Sequence, residues 1–134
     1  MIGTLTLSSL ISPLAGELLG SDVEFSVLAT DTRTLKPGDV YLALVGENFD
    51  GNDFVEQALA RGASAAIVSE FADIALPQLK VSDTHAALGK IAALIRRRSK
   101  ARLIALTGSQ GKTTVKELLG AILQSRAPTL VTAA

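Results

Sequence analysis

The chain has 134 residues, room for one domain of ordinary size and part of a second, and 48% of them are apolar against 19% charged. With eleven glycines and four prolines, that balance excludes disorder, collagen-like repeats and low complexity, and the absence of cysteine excludes disulfide frameworks and thiolate-held metal centres. The net charge of zero divides unevenly, since residues 1–60 hold nine acids against two bases and residues 61–134 four acids against eleven bases. A basic second half suits an anionic ligand such as a polyphosphate, and equally a solvated basic helix face.

The first twenty residues carry no Lys or Arg, and the longest unbroken apolar run covers only residues 40–45. No targeting segment or membrane span is expected, which makes the cytoplasm the default location. Leu7, Leu10, Ile11 and Leu14 recur at helical spacing behind Thr6 as a cap, with Pro13 inside the pattern. Two apolar runs follow, 23–30 and 40–45, separated by a Pro37-Gly38 step with the residue order of a type II turn. They read as a hairpin or as two strands with a short connection. The second run is apolar at every position and predicts a strand covered on both faces.

Residues 46–52 form a polar loop bracketed by Gly46 and Gly51. Asp53 and Glu56 then have capping-box spacing, Phe54, Ala58 and Leu59 supply an apolar stripe, and Gly62 is placed to stop the helix. Short strands are predicted at 65–69 and 78–81. Asp83 caps a longer helix with a stripe of Leu88, Ile91, Ala92 and Ile95, ending in Arg96, Arg97, Arg98 and Lys100, whose cations suit the negative end of the helix dipole. His85, the only histidine, falls in its first turn and reads as a surface or capping residue. A strand at 103–107, a tight loop from Gly108 to Gly111, and a helix at 112–124 with Val115, Leu118, Leu119 and Ile122 on one face come next, then a second strand beginning at 129–132. The fold class is α/β: a small mixed α/β domain at 1–83, a connecting helix and linker at 84–102, and at 103–134 the first strand, phosphate loop and helix of a P-loop-type domain.

The chemical signal is Thr107-Gly-Ser-Gln-Gly-Lys-Thr-Thr114. A polyphosphate needs several donors converging in a small space, and a glycine loop entering a helix N-terminus presents successive backbone N–H groups and the positive dipole end. Gly108 and Gly111 permit close approach, Ser109, Gln110 and Thr114 complete the loop, Lys112 brings a point charge to the terminal phosphates, and the Thr113 hydroxyl is the expected magnesium ligand. The general motif has four residues between its glycines; here Leu106 stands where the first would be, and only Ser109 and Gln110 separate Gly108 from Gly111. A glycine turn followed by chance by Lys and Thr is the plainer alternative. After Thr113 the only acid is Glu117, on the loop's own helix, and one strand with one helix cannot build a covered parallel sheet, so the sequence is expected to be a piece of a longer enzyme. With four Phe and one Tyr and no basic–aromatic interleaving, nucleic acid is not an expected partner.

Asp31-Thr32-Arg33, Lys36-Pro-Gly-Asp-Val40, Leu42-Ala-Leu-Val-Gly46, Phe49-Asp-Gly51, Asp53-Phe54, Gln57-Ala58, Gly62-Ala63, the loop from Leu106 to Thr114 and Lys116-Glu117 together resemble the Mur ligases of peptidoglycan synthesis, in order and over nearly the whole chain. The family's phosphate loop has the same two-residue gap. Ser109, where sister ligases carry Thr, points to the branch that adds D-alanyl-D-alanine to UDP-N-acetylmuramoyl-tripeptide. The resemblance implies three domains in the complete protein, a monomer using ATP and magnesium, with Lys112 catalytic and no activity in this piece alone. It also implies that Asp31, Thr32, Arg33, Glu47, Asn48 and Phe49 hold the uridine diphosphate end of the substrate. Hydroxyl, amide and carboxylate groups suit ribose and uracil, Arg33 a phosphate, and Phe49 a stacked base. Ordinary roles stay open for the same residues: turn closure for Asp31 and Thr32, a surface ion pair for Arg33, a core plug for Phe49. A uridine-nucleotide-binding module without turnover, a sister ligase adding a single amino acid, and a P-loop kinase or other ATPase are the competing readings.

Overall fold

A computed structural model describes residues 3–133. It divides into two compact units, Met1–Ser99 and Lys100–Ala134. The first contains β1 (Leu5–Thr6), α1 (Leu7–Leu14), β2 (Glu17–Leu19), β3 (Glu24–Phe25), β4 (Leu28–Ala29), β5 (Val40–Leu42), β6 (Val45–Gly46), β7 (Phe49–Asp50), a 3-10 turn (Gly51–Phe54), α2 (Val55–Ala60), β8 (Ala65–Val68), β9 (Gln78–Lys80) and α3 (Thr84–Arg98). The second contains α4 (Lys112–Gln124).

A five-stranded sheet in the order β2-β9-β8-β5-β4 organises the first unit. β4, β5, β8 and β9 run parallel, and β2 closes one edge antiparallel to β9. The apolar run at 40–45 is covered on both faces only as far as Ala43: β5 ends at Leu42, and Val45, expected in the same buried strand, lies in β6 and is 39% exposed. Val40 and Leu42 point into a core with Leu7, Leu10, Leu14, Ile67, Leu79, Ala87 and Ile91, whereas Tyr41 and Ala43 point into a second with Leu35, Val55, Ala58, Ala66 and Val68. Strand alternation at period two sorts consecutive residues between those layers. α1 and α3 cover the first face and α2 lies on the second.

Two helix starts follow their sequence signals. Thr6 Oγ1 accepts from Ser9 N at 3.3 Å, while Ser9 Oγ reciprocates toward Thr6 N at 3.4 Å. Asp83 accepts from Ala86 N at 2.9 Å to open α3. The buried stripe of α3 is Thr84, Ala87 and Ile91, with Leu88, Leu94 and Ile95 against it; Ala92, expected on that stripe, is exposed. α3 belongs to the first unit through these contacts.

Two local expectations are corrected. The 23–30 run is two strands in different sheets, β3 pairing antiparallel with β1 and β4 parallel with β5, so 23–30 and 40–45 form no hairpin. The Pro37-Gly38 turn does form, with Asp39 N donating to Lys36 O at 3.1 Å and Gly38 at φ +92°, but it closes a crossover between parallel strands. The Asp53–Glu56 capping box is absent: Asp50 caps the 3-10 turn through Asn52 N at 2.8 Å, and α2 continues from that turn without a side-chain cap. The buried amide of Gln78 clamps the connection before β9, accepting from Ala72 N and donating to Ala72 O, both at 2.8 Å.

In the second unit, residues 103–107 and 129–132 carry no strand ladder among the described residues. A strand requires a hydrogen-bonded neighbour, and these segments do not pair with one another. Of the face predicted on α4, Val115, Leu118 and Ile122 are exposed, 63% in the case of Leu118. The helix packs instead around Gly120, where an added Cβ would meet Val131 Cγ2 at 2.7 Å, and Lys116 Nζ donates to Thr132 O at 2.8 Å.

Candidate functional site

In an open parallel sheet, ligands collect beyond the carboxyl ends of the strands, because chain reversals there present loops and free backbone groups. The first unit has a cleft of about 620 Å³ lined by Thr30, Asp31, Thr32, Arg33, Tyr41, Phe49, Phe54 and Gln57. Thr30 to Arg33 leave the end of β4, and Phe49 and Phe54 come from the excursion that leaves β5.

Asp31 and Arg33 form a fork, with Nη2 2.6 Å from Oδ2 and Nε 3.0 Å from each carboxylate oxygen. Arg33 N also donates to Asp31 Oδ1 at 2.8 Å, closing an Asx-type turn. The Arg33 side-chain hydrogen bond, then its backbone donor, hold the Asp31 carboxyl at a pKa of about 2. The same pairing raises the Arg33 pKa. Arg33 nonetheless keeps 83% of its side chain in solvent, and its Nη1 has no hydrogen-bond partner among the described residues. A charge oriented by one edge and open at the other can meet an anion.

Thr32, only 5% exposed, donates from Oγ1 to Gln57 Oε1 at 2.6 Å and so ties the loop after β4 to α2. Phe49 and Phe54 stack with centroids 5.1 Å apart and planes 20° from parallel. Phe49 remains 49% exposed, an apolar ring open to solvent beside the cleft. Tyr41 forms part of the cleft wall; its hydroxyl donates to Gly51 O at 3.1 Å, and burial, then the Asp31 and Asp50 charges, push its pKa up.

The excursion itself is short and anchored. β6 and β7 pair Val45 with Asp50 and Gly46 with Phe49, placing Glu47 and Asn48 at the tip. At its base Gly51 N donates to Leu44 O at 2.8 Å, and a Cβ on Gly51 would lie 2.6 Å from that same oxygen. Asn52 joins the excursion to the end of β8, donating to Ser69 Oγ at 2.7 Å and accepting from Ser69 N at 3.1 Å.

Four of the six residues expected at the sugar-nucleotide site, Asp31, Thr32, Arg33 and Phe49, therefore line one cleft. Glu47 and Asn48 do not line it; both are exposed. Thr30, Tyr41, Phe54 and Gln57 join them without having been marked as site residues. Phe54 and Gln57 had a signal in their three-residue spacing, which places both on one side of a helical turn. A second groove, about 520 Å³, has Glu17, Phe71 and Lys80 among its lining residues, but its cation is already engaged by Glu17 at 3.1 Å and by the Phe71 ring at 4.7 Å.

In the second unit Gly111 sits at the N-cap of α4 with φ +74°, a left-handed conformation that disfavours any Cβ, and no side chain caps the helix. The first-turn N–H groups are thus left for a ligand, with Lys112, Thr113 and Thr114 exposed on that turn and Ser109 and Gln110 exposed in the loop before it. This donor set fits a polyphosphate. Thr113 offers one hard oxygen, enough for a magnesium ion that keeps water and phosphate oxygens as its other ligands; no cluster of three or more His, Cys, Asp or Glu suited to a metal occurs among the described residues.

A covered, mostly parallel sheet with a cleft at its carboxyl ends, followed along the chain by a glycine loop opening a helix, defines an α/β protein. The Mur ligase family, catalytic domain, matches residues 24–96, and the chain belongs to that family. It is 52% identical over 130 residues to UDP-N-acetylmuramoyl-tripeptide--D-alanyl-D-alanine ligase of Escherichia coli (strain K12), an alignment covering 97% of this chain and 29% of that protein. A crystal structure of MurF from Acinetobacter baumannii superposes with a TM-score of 0.86 at 42% identity, covering 98% of this chain and 30% of that one. MurF from Thermotoga maritima, solved in complex with ADP, matches with a TM-score of 0.64 at 31% identity, over 75% of this chain and 23% of its own. The chain thus spans under a third of the length of these relatives.

Proposed function

We propose that this chain is the N-terminal part of an ATP-dependent ligase that joins D-alanyl-D-alanine to UDP-N-acetylmuramoyl-tripeptide in the cytoplasm, and that it divides the work by unit. The cleft of residues 30–33, 41, 49, 54 and 57 holds the uridine diphosphate end of the nucleotide substrate. Phe49 offers its face to the base, the free edge of Arg33 meets a phosphate, and Thr32 with Gln57 supplies polar contacts to ribose or base. Gly108 to Thr114 wraps the triphosphate of ATP. The observation that carries the reading is the uncapped N-terminus of α4, entered through left-handed Gly111 and followed at once by Lys112 and Thr113.

The chemistry fits that division. A peptide carboxylate oxygen attacks the γ-phosphorus of ATP, ADP leaves, and the amine of the incoming dipeptide attacks the acyl carbon, expelling phosphate and losing a proton. Lys112 balances charge as the γ-phosphoryl moves, and backbone N–H groups at the start of α4 fix the oxygens in place. Thr113 is the residue that would hold magnesium, which supplies further neutralisation of the phosphates when bound.

The test uses the complete protein. Lys112→Ala should lower ADP release that depends on both substrates by about a thousandfold, a loss typical of removing a group that stabilises phosphoryl-transfer charge. Unchanged ATP-dependent turnover would refute the assignment of the loop.

A further inference from the structure

His85 stands in the first turn of α3, and its Nε2 lies 2.9 Å from Val45 O. A carbonyl only accepts, so Nε2 carries the hydrogen, as it does in one neutral tautomer and in the imidazolium alike. Val45 opens β6, and the register pairs its neighbour Gly46 with Phe49. The bond therefore meets the hairpin one residue pair away from the ring on the cleft wall.

The hairpin needs such a tether. Its two strands are two residues each and exposed throughout, and an isolated ribbon is at best marginally stable in water. Gly51 N to Leu44 O closes its base and the Phe54 ring stacks on Phe49, both from the same stretch of chain, while the β7 side is tied to the end of β8 through Asn52, which bonds Asp50 Oδ1 and Ser69 Oγ, each at 2.7 Å. His85 reaches the β6 side from another separate element, and a rigid one, since α3 is capped by Asp83 and buries Ala87 and Ile91 in the core.

We infer that His85 is a positioning residue that holds residues 45–50 in place and thereby keeps Phe49 on the cleft. Its consequence for ligand binding rests on the uridine reading above; its effect on the hairpin does not. His85→Ala removes the donor, and His85→Gln restores one at the reach of Nε2. In the 134-residue chain, amide hydrogen exchange across residues 46–50 and calorimetric titration with uridine diphosphate read the two effects separately. In His85→Ala, exchange at 46–50 should accelerate and the dissociation constant for uridine diphosphate should rise, each by about threefold to tenfold, as losing one hydrogen bond implies. Exchange in β8 and β9 should not change, and His85→Gln should return both values toward the wild type. Unchanged exchange at 46–50 overturns the inference, as does faster exchange with undiminished binding, because the hairpin would then move without consequence for the cleft. A wild-type chain that binds no uridine diphosphate defeats the uridine reading instead, and the exchange result decides the tether by itself.

Discussion

At Asp31 the side chain, its own turn and a neighbouring cation act on one carboxylate. Fork and backbone donors favour the charged form, so the native pKa sits near 2 while the unfolded value is 3.8. The pairing contributes to stability fully above the unfolded value, and that contribution is lost as pH falls from there through about 2. The Asp31 carboxyl resonance should therefore titrate with a midpoint near 2, and in Arg33→Ala it should move back toward 3.8. A midpoint left near 2 in that variant would show that the turn, not the guanidinium, sets it. The Asp-Thr-Arg triplet was legible through the family resemblance and not through pattern, since polar residues after an apolar run read equally as turn and surface residues, and Thr32 is in fact buried against Gln57. Tyr41 was not, since within an unbroken apolar strand nothing marks which ring ends its hydroxyl at a loop carbonyl. Glu47 and Asn48, marked by the resemblance, stand at the two-residue hairpin tip outside the cleft lining, a placement fixed by the β6–β7 register and not by residue type.

Elements were legible where a local signal decides them. Thr6 and Asp83 open their helices as their side chains require, and the fully apolar run of β5 announced its two covered faces. Pairing direction was not local. A type II turn between two apolar runs suits a hairpin, but β5 finds β8 on one side and β4 on the other, and both pairings are parallel. The excursion from β5 to α2 likewise depends on a contact between distant atoms, the seat of Gly51 against Leu44. Gly51→Ala places a Cβ within 2.6 Å of Leu44 O and 2.7 Å of Leu44 N, backbone atoms that cannot swing away. It should cost about 1–3 kcal/mol in urea unfolding of the first unit, the range of overpacked sites. Gly46→Ala in the same hairpin, where the nearest atom is Phe49 O at 3.8 Å, should cost far less, and equal losses at the two glycines would contradict the seat as the cause.

On the scale of the whole chain the two units bury their apolar residues to different extents. The first covers both faces of its sheet with helices and keeps its cleft residues on short, tethered segments. The second leaves Leu103, Ile104, Val115, Leu118, Ile122 and Leu130 in solvent, and its one acid, Glu117, lies 3.6 Å from Lys116. Phosphoryl transfer is catalysed by fixed charges around the moving group, and a triphosphate brings several negative charges against Lys112 and a ring of backbone dipoles. Uridine recognition and phosphoryl transfer should therefore separate in this chain. Calorimetry with uridine diphosphate should give a saturable isotherm. Incubation with ATP, magnesium, the nucleotide tripeptide and D-alanyl-D-alanine should give no joined product by mass spectrometry. Product from these 134 residues would mean that Lys112, Thr113 and the start of α4 suffice for a reaction whose charge they only partly balance, and the division of labour between cleft and loop would have to be redrawn.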